Sequence, residues 1–211
     1  MNAELYNGYW ISTDTYLTQE HRKENAELVY DFLKQLGWTK NAISAIIGNM
    51  DVESSLNPAL IEGRTYHNLI TNNECLSITA RGVGLVQWTG TTPTPPAGQK
   101  LASYAIRQNK NWYDGDLQCD RLDFEYQNDL QFDHGQIDGV QWDWASFVVS
   151  TETPEQLAKV WQLLYERGGT DTQLRQEKAR YYYNILGKLP AWFIAVISRK
   201  RKELKPQCLR M

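Results

Sequence analysis

The sequence predicts a mainly α-helical protein with one hydrophobic core, on the basis of three observations. With 211 residues, of which 42% are hydrophobic, the chain can bury one core and carry short appendages. Several segments repeat apolar residues every three or four positions, the spacing of a helix buried on one face. Possible strands are confined to two short stretches, 65–67 and 77–79, in a polar region with weak patterning.

The patterns divide the chain into a domain at residues 21–188, an N-terminal arm at 1–20 and a C-terminal tail at 189–211. The arm mixes Asn, Gly, Tyr, Ser and Thr without a period, so we expect an irregular segment on the surface. In the tail, the apolar run 191–197 is far shorter than the ~20 residues of a membrane span. A basic cluster follows this run, which is consistent with contact with an anionic membrane surface, a docked partner or a linker outside the domain.

The first predicted helix runs from Glu24 to a glycine at position 37, and the second begins at its cap Thr39 and stops before Asn57-Pro58. The remaining predicted helices cover about 99–109, about 117–130, 154–167 and 172–186. Helices therefore account for most of the predicted domain.

The second helix carries the main catalytic candidate, Glu53. The apolar stripe of this helix consists of Ala42, Ile43, Ile46, Ile47 and Met50. Glu53 follows Met50 by three positions, which places its carboxylate on the same face. Partial desolvation and the negative end of the helix dipole both favour a protonated carboxyl there, the form that a general acid needs. The alternative is a Glu53 that extends into water or pairs with Arg64 or Arg81.

A second candidate segment, residues 81–90, combines three glycines with Gln87 and Trp88. The glycines allow a close approach of the backbone to another surface, or a positive φ. Gln87 and Trp88 offer an amide and an aromatic ring side by side. The spacing is not that of a dinucleotide-binding loop. The segment is therefore either a ligand contact or a tight turn.

Charge and cysteine usage argue against several classes of protein. The formal net charge of −3 includes a basic end, residues 199–211, so the remaining body is acidic and unsuited to general nucleic-acid binding. Cys75, Cys119 and Cys208 are far apart, which predicts neither a disulfide framework nor a zinc site.

His134 beside Asp133 has no second histidine at ligand spacing, so we expect no metal or other cofactor. No pattern activates a cysteine for a peptidase or amidase reaction. The first residues lack the pattern of a signal peptide.

Several motifs follow one another at a specific spacing. In the first third of the chain they are Tyr16-Leu17-Thr18, Asn25-Ala26, Gly37-Trp38-Thr39, Ala42-Ile43, Gly48-Asn49-Met50, Glu53-Ser54 and Asn57-Pro58. Later blocks are residues 84–90, 99–105, 116–118 and 165–168, with Arg175 and Ala179. Over roughly residues 16–187 this order resembles the phage tail lysozyme family, which includes peptidoglycan-degrading tail-tip proteins of phi29-like podoviruses. The first two blocks also resemble the wider lysozyme and lytic-transglycosylase superfamily.

The resemblance implies a mainly α (α+β), two-lobed lysozyme-like fold in which a small β-hairpin or irregular region lines a glycan cleft. It implies that Glu53 is the catalytic acid and that Ser54, Gln87, Trp88 and Thr89 bind substrate. The implied partners are peptidoglycan glycan strands and other phage tail proteins, and the implied location is the virion tail, acting at the host cell wall.

The chain departs from the family pattern at three places. The insertion 91–98 replaces basic residues after the Gln-Trp block, and Gly168 stands where the closing motif has proline. Phi29-like relatives also carry a metallopeptidase domain with histidine ligands. Residues 1–211 contain only His21, His67 and His134, so we expect no such activity in them.

The implied reaction is cleavage of the β-1,4 bond between N-acetylmuramic acid and N-acetylglucosamine. A hydrolase of this kind uses a second carboxylate. Glu62, nine residues after Glu53, is the first candidate for it, followed by Asp133 and Asp138. Two alternatives remain open: a lytic transglycosylase, in which the muramyl 6-hydroxyl attacks instead of water, and a glycan-binding module without activity.

Overall fold

A computed structural model describes residues 5–7, 9–13, 15–63, 69–78, 81–89, 97–168 and 170–188. The predicted tail at 189–211, the predicted strand at 65–67 and most of the 91–98 insertion lie outside these residues. The predicted strand at 77–79 is described only in part, and Ser77 and Ile78 form a turn after a short helix.

The described chain is mainly helical, which confirms the predicted fold class. The α-helices are α1 (Gln19–Gln35), α2 (Lys40–Ser54), α3 (Asn72–Leu76), α4 (Ala97–Arg107), α5 (Gly115–Gln127), α6 (Trp144–Val148), α7 (Pro154–Trp161) and α8 (Thr172–Ile185). The strands are β1 (Leu5–Asn7), β2 (Trp10–Ser12), β3 (Gly135–Ile137) and β4 (Val140–Trp142), paired as two antiparallel hairpins, β1–β2 and β3–β4. Within the described residues, no helix is long and apolar enough to cross a membrane.

Local signals place most helix ends close to the predicted positions, but α1 begins at Gln19 and not at the predicted Glu24. Thr18, Thr39 and Thr153 cap α1, α2 and α7, each accepting a hydrogen bond from a backbone N–H three residues on. α7 does not end in an ordinary turn, because the chain continues as a π-helical turn, Gln162–Glu166. This turn was not predicted, and it shapes the site described below.

Helix α2 is the centre of the fold. It packs against α8, α7 and α1. The prediction of one buried face was too narrow, because polar residues such as Ser44 and Asn49 are as fully buried as Ile46. Gly48 permits the closest approach: a Cβ at this position would lie 2.6 Å from the backbone N of Ala179 in α8. A helix buried on all sides is typical of the core of a helical domain.

The sequence predicted an irregular N-terminal arm, and this prediction was wrong, because the arm contains a pair of strands. Strand β2 pairs with β1, and Trp10 within it is 1% exposed. The Trp10 ring lies on Gly115, where a Cβ would come within 2.2 Å of the ring, and its indole N–H donates to Asp116 at 3.1 Å. Burial of one large aromatic side chain thus attaches this segment to the start of α5.

Candidate active site

Glu53 lies in the last turn of α2, with its side chain 24% exposed. Its carboxylate accepts a hydrogen bond from the guanidinium of Arg175 in α8. The sequence analysis offered Arg64 or Arg81 as an ion-pair partner of Glu53, but its partner in the structure is Arg175. Arg81 donates instead to the backbone carbonyls of Glu62 and Gly63, and position 64 lies outside the described residues. Glu53 therefore reaches the surface beside a positive charge rather than among apolar side chains alone.

Arg175 is fixed in place by α2 itself. Its side chain is 5% exposed, and its second terminal nitrogen donates to Asn49 Oδ1 at 2.9 Å. Asn49 lies one turn before Glu53, and its own amide group donates to the carbonyls of Ala45 and Ala158. A buried guanidinium with two oriented acceptors has little freedom to move, so it holds the Glu53 carboxylate in one position.

A second carboxyl group, Glu166, lies at the end of the π-helical turn. In a π-helix residues five apart stack above one another, and the indole N–H of Trp161 donates to Glu166 Oε1 at 2.9 Å. Burial, followed by the negative charge of Glu53, raises the pKa of Glu166 to about 8. The indole hydrogen bond and the positive charge of Arg175 lower this pKa. The net effect favours the protonated form of the Glu166 carboxyl.

Ser54 connects the end of α2 to the glycine-bearing segment. Its hydroxyl is buried and donates to the carbonyl of Leu85 at 2.7 Å. The backbone N–H of Leu85 donates to Gln118 at 2.7 Å, so α5 holds the same residue from the other side. The resemblance implied that Ser54 binds substrate, but its position in the structure is that of a link between Glu53 and the turn that follows.

Gln87 and Trp88 point to different environments. Gln87 has a positive φ of 49°, and its side-chain amide donates to the carbonyl of Gly84 at 2.7 Å. The same side chain packs on Gly82, where a Cβ would lie 2.6 Å from it. The Trp88 ring is only 3% exposed. A ring this deeply buried offers no face to a sugar, so the implied contact of Trp88 with substrate disagrees with its position. Thr89 is exposed.

Trp88 belongs to a buried polar cluster centred on Glu125. This carboxylate accepts hydrogen bonds from Trp88 Nε1 at 3.2 Å, Arg121 Nε at 3.0 Å and the Tyr165 hydroxyl at 2.6 Å. Burial raises the pKa of Glu125, whereas the charge of Arg121 and these hydrogen bonds lower it. Since Tyr165 precedes Glu166 directly, one cluster fixes both the glycine-bearing turn and the second carboxyl.

The predicted second carboxylates lie apart from this buried cluster. Glu62 is exposed and accepts a hydrogen bond from the Gly82 N–H at 2.9 Å, next to an isolated β-bridge between Ile61 and Val83. Asp133 and Asp138 are exposed and form ion pairs, Asp133 with Arg167 and Asp138 with Lys159. The two aspartates lie at the β3–β4 hairpin and beside it, whereas Glu62 borders the segment that contains Gln87.

Two further sequence candidates lack the features of a reactive site. Burial raises the pKa of the Cys75 thiol to about 12, which opposes the thiolate needed of a nucleophile. His134 is exposed and pairs with Asp129 at 2.8 Å. Within the described part of the chain, no three His, Cys, Asp or Glu residues cluster as metal ligands would.

A helical domain whose central helix ends in a partly exposed glutamate, tied to a glycine-bearing turn, is of the lysozyme-like class. The phage tail lysozyme family matches residues 24–186, and the chain belongs to this family. It is similar to Morphogenesis protein 1 of Bacillus phage B103, with 31% identity over 178 residues. That alignment covers 84% of this chain and 43% of the relative, so the chain spans less than half the length of that protein.

Proposed function

We propose that this chain is a peptidoglycan hydrolase that cleaves the β-1,4 bond between N-acetylmuramic acid and N-acetylglucosamine, with Glu53 as the general acid. One observation carries the proposal: the buried central helix of a phage tail lysozyme domain ends in a carboxyl group that reaches the surface. The side chains around Glu53 orient it, as expected for a group that must meet a glycosidic oxygen at a defined position.

In this mechanism Glu53 donates its proton to the departing glycosidic oxygen as positive charge develops on the sugar ring. General acid catalysis contributes typically ~10²–10⁴-fold, and the cleft supplies the rest by positioning and by stabilising the charge. Gln87 and the exposed Thr89 are the proposed glycan contacts. Ser54 and Trp88 position this segment through Leu85 and Glu125 and do not touch the substrate.

Glu62 is the proposed second carboxylate. It is exposed and borders the segment that holds Gln87, and its hydrogen bond from Gly82 fixes its orientation. In this role it either holds the attacking water, as in an inverting enzyme with carboxyl groups ~6.5–9.5 Å apart, or attacks directly, as in a retaining enzyme with a shorter separation of ~5–5.5 Å.

A lytic transglycosylase is the second candidate, and the burial of Glu166 in the π-helical turn favours it. Burial and the negative charge of Glu53 raise the pKa of Glu166 to about 8, which favours its protonated form. A protonated carboxyl cannot accept a proton from water or attack the sugar. If Glu62 also plays no part, the muramyl 6-hydroxyl becomes the nucleophile and the product carries an anhydro end.

The similarity to a phage morphogenesis protein and membership of a tail lysozyme family support a place for the chain in the virion tail. There it would contact other tail proteins and open the host cell wall locally during genome entry.

Mass spectrometry of the sugars released from purified cell wall tests these proposals. The wild type is compared with Glu53→Gln, with Glu62→Gln and with Glu177→Gln, a control that removes an exposed carboxylate on α8. We expect reducing muramic ends with the wild type and the control, and a loss of at least ~10²-fold with Glu53→Gln. Anhydro-muramic ends that persist in Glu62→Gln would establish the transglycosylase. A wall that the wild type binds but leaves intact would establish a glycan-binding module.

A further inference from the structure

Two consecutive residues with a left-handed backbone conformation follow helix α2. Ser55 has a φ of 51° and Leu56 a φ of 57°, and neither is a glycine. This conformation brings Cβ close to the following carbonyl oxygen, so such residues persist only where their surroundings hold them. Their backbone N–H groups donate to the carbonyls of Asp51 and Met50 at 3.1 and 3.3 Å, respectively. This left-handed turn, residues 55–57, therefore closes the last turn of α2 under strain.

The N-terminal arm holds the left-handed turn through the side chain of Asn57. This side chain is fully buried, and its Nδ2 donates to the backbone carbonyls of Thr13 and Thr15, each at 2.7 Å. Its Oδ1 accepts from the backbone N–H of Ala59 at 3.0 Å. Because both partners of Nδ2 are carbonyls, which only accept, the orientation of the amide follows from its contacts. One buried side chain thus connects the arm to the end of α2.

Two further side chains join the arm to the same turn. The backbone N–H of Leu17 donates to the Ser55 hydroxyl at 2.9 Å. Asn25, in α1, donates to the carbonyls of Ile11 and Leu56 at 2.8 and 2.9 Å, and it accepts from the Ile11 N–H at 3.1 Å. Each of the three residues of the turn is therefore held by a hydrogen bond that involves the arm or a side chain bound to the arm.

We propose that the N-terminal arm braces the end of α2 and thereby positions the Glu53 carboxyl, with Asn57 as the positioning residue that connects the two. This inference rests on the proposed function, in which the acid must meet a glycosidic oxygen at a defined position. Glu53 lies in the turn of α2 that the left-handed turn closes. Without the arm, the strained backbone relaxes, this last turn of α2 opens, and Glu53 loses its fixed position beside Arg175.

Asn57→Asp separates the brace from the local turn. The aspartate keeps an oxygen for the N–H of Ala59, so the local hydrogen bond is preserved. It loses both bonds to the arm, because a carboxylate cannot donate to the carbonyls of Thr13 and Thr15. The variant therefore releases the arm with the smallest change in the turn itself.

A milder variant and a matched control accompany it. Ser55→Ala removes the bond from the Leu17 N–H and leaves the Asn57 amide in place. The control is Asn72→Ala at the start of α3. Asn72 also joins two chain segments through its side chain, donating to the Lys110 carbonyl at 2.8 Å and accepting from the Trp112 N–H at 2.8 Å.

Amide hydrogen exchange, followed by NMR, tests the brace without any activity. The reporters are the N–H groups of Ser55 and Leu56, compared with the N–H of Ile46 in the middle of α2. In Asn57→Asp we expect exchange at the two reporters to become at least ~10-fold faster relative to Ile46, because the end of the helix opens locally. Asn72→Ala should leave this ratio as in the wild type. An unchanged ratio in Asn57→Asp would overturn the proposal.

Cleavage of soluble cell-wall glycan fragments gives the second test, at a temperature where circular dichroism shows each variant to be folded. We expect kcat to fall by ~10-fold or more in Asn57→Asp with KM within ~2-fold of the wild type, because a misplaced acid affects the chemical step and not glycan binding. Asn72→Ala should keep both constants within ~2-fold. A kcat in Asn57→Asp equal to that of Asn72→Ala contradicts the proposal. If Asn57→Asp does not fold, Ser55→Ala decides, with an expected ~3-fold loss of kcat that an unchanged kcat would contradict.

The two tests separate the failure of each proposal. If the wild type releases no sugar, the hydrolase and transglycosylase assignments both fail, and hydrogen exchange alone decides whether the arm braces α2. If the wild type is active and Asn57→Asp combines fast exchange in the turn with the wild-type kcat, the arm does not position Glu53. The brace proposal then fails, and the assignment of Glu53 stands on its own test.

Discussion

Replacing Gly48 by alanine should loosen the contact on which the candidate site depends. A Cβ at this position would lie 2.6 Å from the Ala179 N, 2.8 Å from its Cα and 2.9 Å from the carbonyl oxygen of Arg175. All three are backbone atoms, so no side-chain rotation relieves the overlap. To reach ordinary contact at 3.4 Å, α8 must move away from α2 by about 0.8 Å.

Two opposing terms set the size of the effect. Overpacking of a well-filled core costs typically ~1–3 kcal/mol. Alanine in place of glycine within a helix recovers up to ~1 kcal/mol of that. We therefore expect Gly48→Ala to lower the free energy of unfolding by about 1–2 kcal/mol. Because Arg175 contributes one of the overlapping atoms, its guanidinium should shift away from Glu53, and kcat/KM should fall by ~10-fold or more.

Urea unfolding and the wall-cleavage assay measure the two effects. Gly168→Ala is the matched control, because a Cβ there would meet no atom within 4 Å. We expect this control to stay within ~0.5 kcal/mol of the wild type. If Gly48→Ala is as stable and as active as the control, the close contact of α2 and α8 does not position Arg175, and our account of the site is wrong.

Three further predictions concern the buried polar groups. The pKa of Glu166 is raised to about 8 in the folded protein, so folded chains bind more protons than unfolded ones between pH 5 and 8. As pH rises through this range, the free energy of unfolding should fall by up to ~1.4 kcal/mol per pH unit relative to Glu166→Gln measured in parallel. Equal slopes of unfolding free energy against pH in the two proteins would contradict the raised pKa. Glu125→Gln removes the carboxylate that pairs with the buried Arg121 and should lower the free energy of unfolding in urea by ~3–5 kcal/mol. A decrease below ~1 kcal/mol would show that the cluster is dispensable. Ser54→Ala removes the hydrogen bond to the Leu85 carbonyl and should lower the free energy of unfolding by ~1 kcal/mol. It should also lower kcat/KM by more than the loss of folded protein explains, and unchanged kinetics would assign Ser54 to folding only.

Local patterns were sufficient to predict the six longer α-helices and the position of Glu53 at the end of α2, but not the five-residue helices α3 and α6. Caps such as Thr39 act within three residues, and apolar periodicity reports which segments are buried. The same patterns did not identify the partner of Glu53, because Arg175 lies 122 residues further along the chain and is brought close only by packing of α8 on α2. The closing motif contained both Glu166 and Arg175, yet its spacing alone assigned neither a role.

Trp88 and the N-terminal arm show a second limit of sequence analysis. An aromatic residue in a glycine-rich segment has the same sequence signal whether its ring faces a ligand or the core. The buried acceptor Glu125, which decides the matter for Trp88, comes from α5. Trp10 likewise lies in a segment without periodicity, and its burial depends on the space above Gly115. In both cases tertiary packing outweighed the local pattern.

The π-helical turn at Gln162–Glu166 makes the register of this segment sensitive to length. Relative to an α-helix, such a turn contains one additional residue. Deleting a single residue from it would restore 3.6 residues per turn and rotate the following side chains by about 100° around the helix axis. The carboxyl at position 166 would then leave the neighbourhood of α2 although every residue that contacts it were still present. In this protein, the length of one helical turn matters as much as the identity of its residues.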